Sequence, residues 1–136
     1  MQRSSNRCAF VSILCGSRLL CIGRFALCDS STVQQSQAGN NAFHQQQYAA
    51  AIQHYEAAIA LGVQDARLAA VLHCNKAAAL HEQGQYVDAV VQCCVAESHD
   101  PGYSRAFQRR AEAYAALGDF AAALRVRCCY YYCCCC

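Results

Sequence analysis

Ala51, Tyr55, Ala58 and Ile59 recur at helical spacing between residues 48 and 61 and share one face of the helix that this spacing predicts. The same order of small, aromatic and apolar positions returns further along. "GNNAFHQQQYAAA" (39–51), "AAALHEQGQYVDA" (77–89) and "AEAYAALGDFAAA" (111–123) align on a shared alanine. Each opens on a small residue, Gly39, Ala77 or Ala111. Nine positions on stands an aromatic, Tyr48, Tyr86 or Phe120, and three further an alanine, Ala51, Ala89 or Ala123. The copies are 38 and 34 residues apart, a period too long for a coiled coil and right for stacked supersecondary units.

Each copy predicts a helix, a tight turn and a second helix. The first helices are expected at about 32–45, 66–82 and 104–117, the second at about 48–61, 86–98 and 119–127. Gly84 and Gly118 fall where a helix C-terminus favours a residue tolerant of positive φ. Asp100-Pro101 closes the second pair, because proline disfavours helix at the residue before it. The small residues then allow close helix packing, with Gly39 expected to face Ala51, Ala77 to face Ala89, and Ala111 to face Ala123. Glycine in a helix costs about 1 kcal/mol relative to alanine, which close packing offsets. "GNN" (39–41) is therefore expected inside a helix. Tyr48, Tyr55, Tyr86, Tyr114 and Phe120 are expected in the core.

Composition agrees with an all-α domain. The chain has 136 residues, room for one domain, and its single proline and many alanines favour helix. Charge is uneven. Residues 38–124 carry five basic and eight acidic side chains, which gives no electrostatic footprint for nucleic acid. The 13 cysteines crowd the two ends, and only Cys74, Cys93 and Cys94 fall in the middle, unlike the even spread of a secreted disulfide scaffold.

The registered positions identify the chain as similar to tetratricopeptide repeat proteins, whose period is about 34 residues. The family's later alanine matches Ala58 and Ala96, its large residue matches Tyr55 (Cys93 in the second copy), and its proline matches Pro101. The resemblance covers residues 32 to about 124. It implies an all-α, right-handed superhelical stack of three helical hairpins at 32–127, the third incomplete, between an unassigned leader (1–31) and a Cys/Tyr tail (128–136).

"AGNNAF", "CNKAAAL" and "RAFQRRAEAY" resemble the first helices of the carboxylate-clamp co-chaperones. That subclass grips the C-terminal Glu-Glu-Val-Asp tail of the seventy- and ninety-kilodalton heat-shock chaperones. The likeness implies a peptide-binding set of Asn40, Asn75, Arg105 and Arg109, with Ser36 and Phe43 as further candidates; for Phe43, core packing is the alternative. The chemistry suits an acidic terminus: arginine presents a planar fork to a carboxylate, and asparagine amides add neutral donors. Arg105 and Arg109 lie one helical turn apart. Ser36 and Arg105 stand where the subclass has lysines, and Glu112 is placed to pair with Arg109, so a weaker clamp is expected. The four-residue insertion before the second copy and "AVLHCNKAAAL" are similar to co-chaperones that carry a J domain, although the chain has no His-Pro-Asp triplet.

The resulting expectation is a non-catalytic, cytoplasmic adaptor with no cofactor, metal or nucleic-acid partner, and with membrane association not expected. The five histidines make no metal or catalytic spacing, and no phosphate loop or nucleophile elbow occurs. The alternatives are a repeat scaffold for an unrelated protein, a truncated product, or a thiol-based metal or redox protein using the cysteine tails; His73-Cys74 with Cys93-Cys94 is the inner grouping weighed as a zinc site, with separate helix positions the plainer reading. Residues 1–28 have a transit-peptide composition, which would redirect the chain to an organelle; a mispredicted first exon is the plainer reading. The end, "RVRCCYYYCCCC", replaces the expected rest of the last helix and reads as a frameshift or truncation.

Overall fold

The computed structural model describes residues 18–133, with side chains from 30 to 130. Among the described residues six helices follow one another: α1 (Arg18–His44), α2 (Tyr48–Ala60), α3 (Ala66–Glu82), α4 (Tyr86–His99), α5 (Ser104–Ala116) and α6 (Phe120–Cys133). They form three antiparallel hairpins, α1–α2, α3–α4 and α5–α6. The hairpins stack through α2 on α3 and α4 on α5. The backbones of the odd helices also approach one another, α1 to α3 and α3 to α5, whereas those of the even helices stay apart. The odd helices are thus the tighter inner layer, and the even helices splay outside it. A stack with one tight layer curves towards that layer.

Small side chains dominate the interior, which brings the backbones close. Ala51, Tyr55 and Ala58 of α2 pack with Ala42, Leu72 and Ala79. Ala77, Ala89, Cys93 and Ala113 join the second hairpin to the third. Fully buried alanines carry little apolar area each, so stability rests on many close contacts and few large anchors. Tyr55 and Leu72 are the largest buried side chains.

The hairpin turns repeat one geometry. Gly84 and Gly118 have φ of 79° and 81°, as their places at helix ends require. The N–H groups of Gln85 and Asp119 reach back to the carbonyls of Leu80 and Tyr114. In the first turn Gln47 bonds Ala42 in the same way, but the residue at positive φ is Gln46, at 60°. The four inserted residues go into α3, which starts eleven residues before Ala77, whereas α5 starts seven before Ala111. Four residues make about one turn, so the helical phase is kept. Asp65 caps this added turn, accepting from the N–H groups of Arg67 (2.8 Å) and Leu68 (3.4 Å).

Each of the first two hairpins is also pinned by a histidine–glutamine bond. His54 Nδ1 meets Gln35 Oε1 at 2.9 Å, and His73 Nδ1 meets Gln92 Oε1 at 2.9 Å. The positions are equivalent, but the two residue types have exchanged helices. In the third hairpin Phe107 and Val126 stand there instead.

Several expectations change. α1 begins at Arg18 rather than near 32, and no proline interrupts residues 18–44. α6 continues to Cys133, as long as α4, so the third hairpin has a full second helix rather than one ending at 127. Cysteine and tyrosine are middling helix formers and break nothing. The Tyr130 ring packs against Phe107 of α5 with centroids 5.4 Å apart. Phe120 is not core: it is 67% exposed, while Tyr48 and Tyr86 at the matching places are half-buried by neighbouring side chains. The transit-like reading of 1–28 and the frameshift reading of the Cys-rich end rest largely on residues outside those described. Among the described residues no helix is long and apolar enough to cross a membrane.

Candidate functional site

The inner layer carries every clamp candidate. Asn40 and Ser36 lie on α1, Asn75 on α3, and Arg105 and Arg109 on α5. Asn75 Nδ2 donates to Asn40 Oδ1 at 3.4 Å, which joins the two amides across α1 and α3. The Tyr55 hydroxyl donates to the same oxygen at 2.8 Å. Burial raises the Tyr55 phenol pKa, and the nearby Arg109 charge opposes that shift. The Arg109 charge thus lies near enough to act on the phenol that holds Asn40.

Cys74 lies beneath the cations. Burial pushes its thiol pKa up, opposed by Arg109 and Arg105. Cys93 is more strongly affected, pushed up to about 12 by burial and then by the neighbouring Cys74. Both thiols are free and buried, and they act as small apolar filling under the inner face. His73 Nδ1 is bonded to Gln92 Oε1, and its ring stacks on His99 with centroids 5.5 Å apart. Among the described residues no three His, Cys, Asp or Glu side chains gather as a metal site would require.

The three arginines of "RAFQRR" separate into two kinds. Arg110 forms an ion pair with Glu97 of α4 at 3.1 Å and is four-fifths buried. It also touches Cys94 Sγ at 3.4 Å and lies 5.7 Å from the Phe107 ring centroid. Arg110 is a packing residue between α4 and α5. Arg105 and Arg109 make no ion pair among the described residues. The expected Glu112–Arg109 pair does not form: Glu112 lines the groove between α5 and α6, on another side of α5. Two cations with no carboxylate partner among the described residues are suited to an anionic ligand.

Phe43 packs against the first core cluster and meets the Tyr48 ring edge-on at 5.4 Å, so its observed contacts are those of packing. Ser36 is half-buried on α1 and supplies no cation. The small-residue positions Ala51, Ala77, Ala89, Ala111 and Ala123 are all buried. Gly39 has a neighbour that the sequence reading did not name, the Tyr55 ring. The atoms nearest a Cβ built there belong to the Tyr55 ring, Cε1 at 2.6 Å and Cδ1 at 2.9 Å. The glycine makes room for a ring as well as for a backbone.

Sequence reading missed the polar role of Tyr55. The available signal was a tyrosine, rather than phenylalanine, at a core position: a buried phenol needs a hydrogen-bond partner. Two clefts, of about 450 and 480 Å³, open elsewhere, one among α2, α3 and α4 and one between α5 and α6. None of Asn40, Asn75, Arg105 and Arg109 lines either cleft; they stand on the inner-layer helices α1, α3 and α5.

No protein-family model matches the chain, and no curated protein does. Solved structures do. The chain is similar to the TPR2B domain of yeast Sti1, solved as a pHsp70 complex, with 28% identity over 71% of this chain and 74% of that one, at a TM-score of 0.65. It is similar to the second TPR of Spaghetti (RPAP3), solved bound to the HSP90 peptide SRMEEVD, with 31% identity over 71% and 85% and a TM-score of 0.64. The Arabidopsis OM64 TPR domain is similar at 28% identity over 74% and 83%, with a TM-score of 0.63.

Proposed function

The chain belongs to the tetratricopeptide repeat family, and on that premise we propose that it is a non-catalytic co-chaperone adaptor. Its inner face binds the acidic C-terminal peptide of a seventy- or ninety-kilodalton heat-shock chaperone. The observation that carries this reading is the cluster itself. Asn40 and Asn75 are bonded across α1 and α3, the Arg109 charge acts on the Tyr55 phenol that bonds Asn40, and Arg105 and Arg109 have no ion-pair partner among the described residues. Neighbours solved with pHsp70 and with an HSP90 peptide support the choice of ligand.

Arg109 and Arg105 supply charge-assisted bonds to the terminal carboxylate and to a neighbouring acidic side chain, and the asparagine amides supply neutral donors. A hydrogen bond to a charged group is worth about 1.5–3 kcal/mol. A few such bonds, less the cost of ordering the peptide, give about −8 kcal/mol, or micromolar affinity. Ser36 removes one cationic contact and holds the affinity to the weak side of that range. The added turn of α3 accords with the finer likeness to co-chaperones that carry a J domain.

Calorimetric titration of the full chain with a peptide ending in Glu-Glu-Val-Asp tests the proposal. Binding is expected with a free C-terminus and is expected to weaken at least tenfold on amidation, about 1.4 kcal/mol. Equal binding of both forms, or of neither, would reject it. A second reading, a repeat scaffold for an unrelated partner, is favoured by Ser36. A partner that leaves the peptide undisplaced in competition would support it.

A further inference from the structure

Asn40 is held in one orientation. Its Oδ1 accepts twice from within the protein, from the Tyr55 hydroxyl at 2.8 Å and from Asn75 Nδ2 at 3.4 Å. An amide oxygen has two lone pairs, so neither remains for a ligand. What Asn40 offers outward is its Nδ2 and the two N–H bonds on it. The direction of the tyrosine bond follows from its surroundings. Arg109, the charged group acting on the phenol, has donors only, so it leaves Asn40 Oδ1 as the place for the hydroxyl proton.

The repeat itself supplies a second, independent observation. Gly39 and Tyr55 correspond to Ala77 and Cys93 in the second hairpin, where the small residue is larger and its partner smaller. Each pair fills similar space: Gly39 with a ring against it, Ala77 with a thiol in one buried cluster. Packing alone is therefore satisfied in either way. The next residue differs as well. Asn40 corresponds to Ala78, which has no amide to orient. The hydroxyl is present in the hairpin that has an amide at this position, and absent from the one that has alanine there.

We infer that Tyr55 is a positioning residue that sets ligand specificity: its hydroxyl turns Asn40 so that both amide N–H bonds face the ligand, and the site thereby selects an acceptor-only terminus, a free carboxylate, over an amide. This rests on the carboxylate-binding reading above. A C-terminal amide brings N–H donors of its own, which meet only donors at Asn40 and at the arginines. An Asn40 free to turn would offer its oxygen to that amide and lose the discrimination.

Tyr55→Phe tests this, because it keeps the ring against Gly39 and removes the oxygen. Full-length wild type and Y55F are each titrated with the same acidic peptide, as free acid and as amide. The expected result is that Y55F binds the free acid roughly two- to tenfold more weakly, the loss of about one hydrogen bond. Its affinity for the amide is expected to hold or rise, so the preference ratio falls. If wild type shows no preference for the acid, the carboxylate reading itself falls, and this inference with it. If wild type prefers the acid and Y55F keeps the same ratio, the inference alone is overturned. A second measurement needs no variant. In wild type the Tyr55 hydroxyl proton is expected to exchange slowly enough for NMR and to show a cross-peak to the Asn40 side-chain amide. A rapidly exchanging hydroxyl without that cross-peak would overturn the inference even if Y55F failed to fold.

Discussion

The Tyr55 ring occupies the space that a side chain on Gly39 would need, with a Cβ at Gly39 falling 2.6 Å from Tyr55 Cε1. The ring is 2% exposed and its hydroxyl is bonded to Asn40, so it has little freedom to give way. One contact thus links helix packing to the amide proposed to face the ligand. Gly39→Ala gains about 1 kcal/mol of helix propensity. Overpacking costs about 1–3 kcal/mol. The expected outcome is a net loss of about 1 kcal/mol in denaturant titration, together with weaker peptide binding. A stabilised variant with unchanged binding would show that the ring moves freely.

Gln46 holds a left-handed conformation, at φ 60°, in the place that Gly84 and Gly118 fill in the other hairpins. That conformation costs an L-residue about 1–2 kcal/mol. Its side chain is exposed, so little packing is lost on its removal. Gln46→Gly is expected to raise stability by about 1 kcal/mol in urea unfolding, without altering peptide affinity, because Gln46 lies in the turn beyond the end of α1 and is not among the clamp residues. The greater freedom of glycine in the unfolded chain offsets part of the gain.

The thiols are expected to divide by burial. Cys74 and Cys93 have raised pKa values because they are buried, and little thiolate forms at neutral pH. Cys94, Cys128 and Cys129 are exposed. Brief maleimide labelling at pH 7 followed by peptide mass mapping should modify these three and spare Cys74 and Cys93, which should react only after denaturation. Early modification of Cys74 would contradict the packing described beneath the arginines.

His73 introduces a pH dependence. Burial lowers its pKa, the hydrogen bond to Gln92 opposes this, and the nearby His99 and Lys76 charges lower it further. Its folded value lies below the unfolded value of about 6.5, so the unfolded chain takes up the proton first. The contribution to stability is complete above about pH 6.5 and is lost as pH falls through the folded value. Glu97 acts in the opposite sense at lower pH. Burial raises its pKa, so the cost of ionising it in the fold is relieved as pH falls towards 4.5. His73→Gln is expected to flatten the stability profile between about pH 5 and 7 in thermal melts, whereas an unchanged slope would assign the loss to other groups.

The sequence made the middle of the fold legible, for identifiable reasons. Gly84, Gly118 and Pro101 are punctuation with a fixed conformational meaning, and α2 to α5 end within a residue of where they indicate. The outer limits of α1 and α6 were not legible, because nothing there breaks a helix and composition drew attention elsewhere. Arg109 and Arg110 are neighbours of one chemical type. Only their directions, about 100° apart around α5, separate an unpaired cation from a partner of Glu97. The partner of Gly39 was hidden for a related reason, since ring reach from Tyr55 depends on how the two helices face. The exchange of His54 and Gln35 for Gln92 and His73 was visible as spacing, yet a pair of polar residues 19 apart carries no meaning until the hairpin closes.

The most direct test of the account is NMR mapping of a Glu-Glu-Val-Asp peptide on the full, isotope-labelled chain. The account predicts shifts of the Asn40 and Asn75 side-chain amides and of the Arg105 and Arg109 guanidinium signals, with Arg110 and the α5–α6 groove unmoved. Shifts confined to that groove, or no shifts at the four inner residues under conditions where the chain is folded, would contradict it.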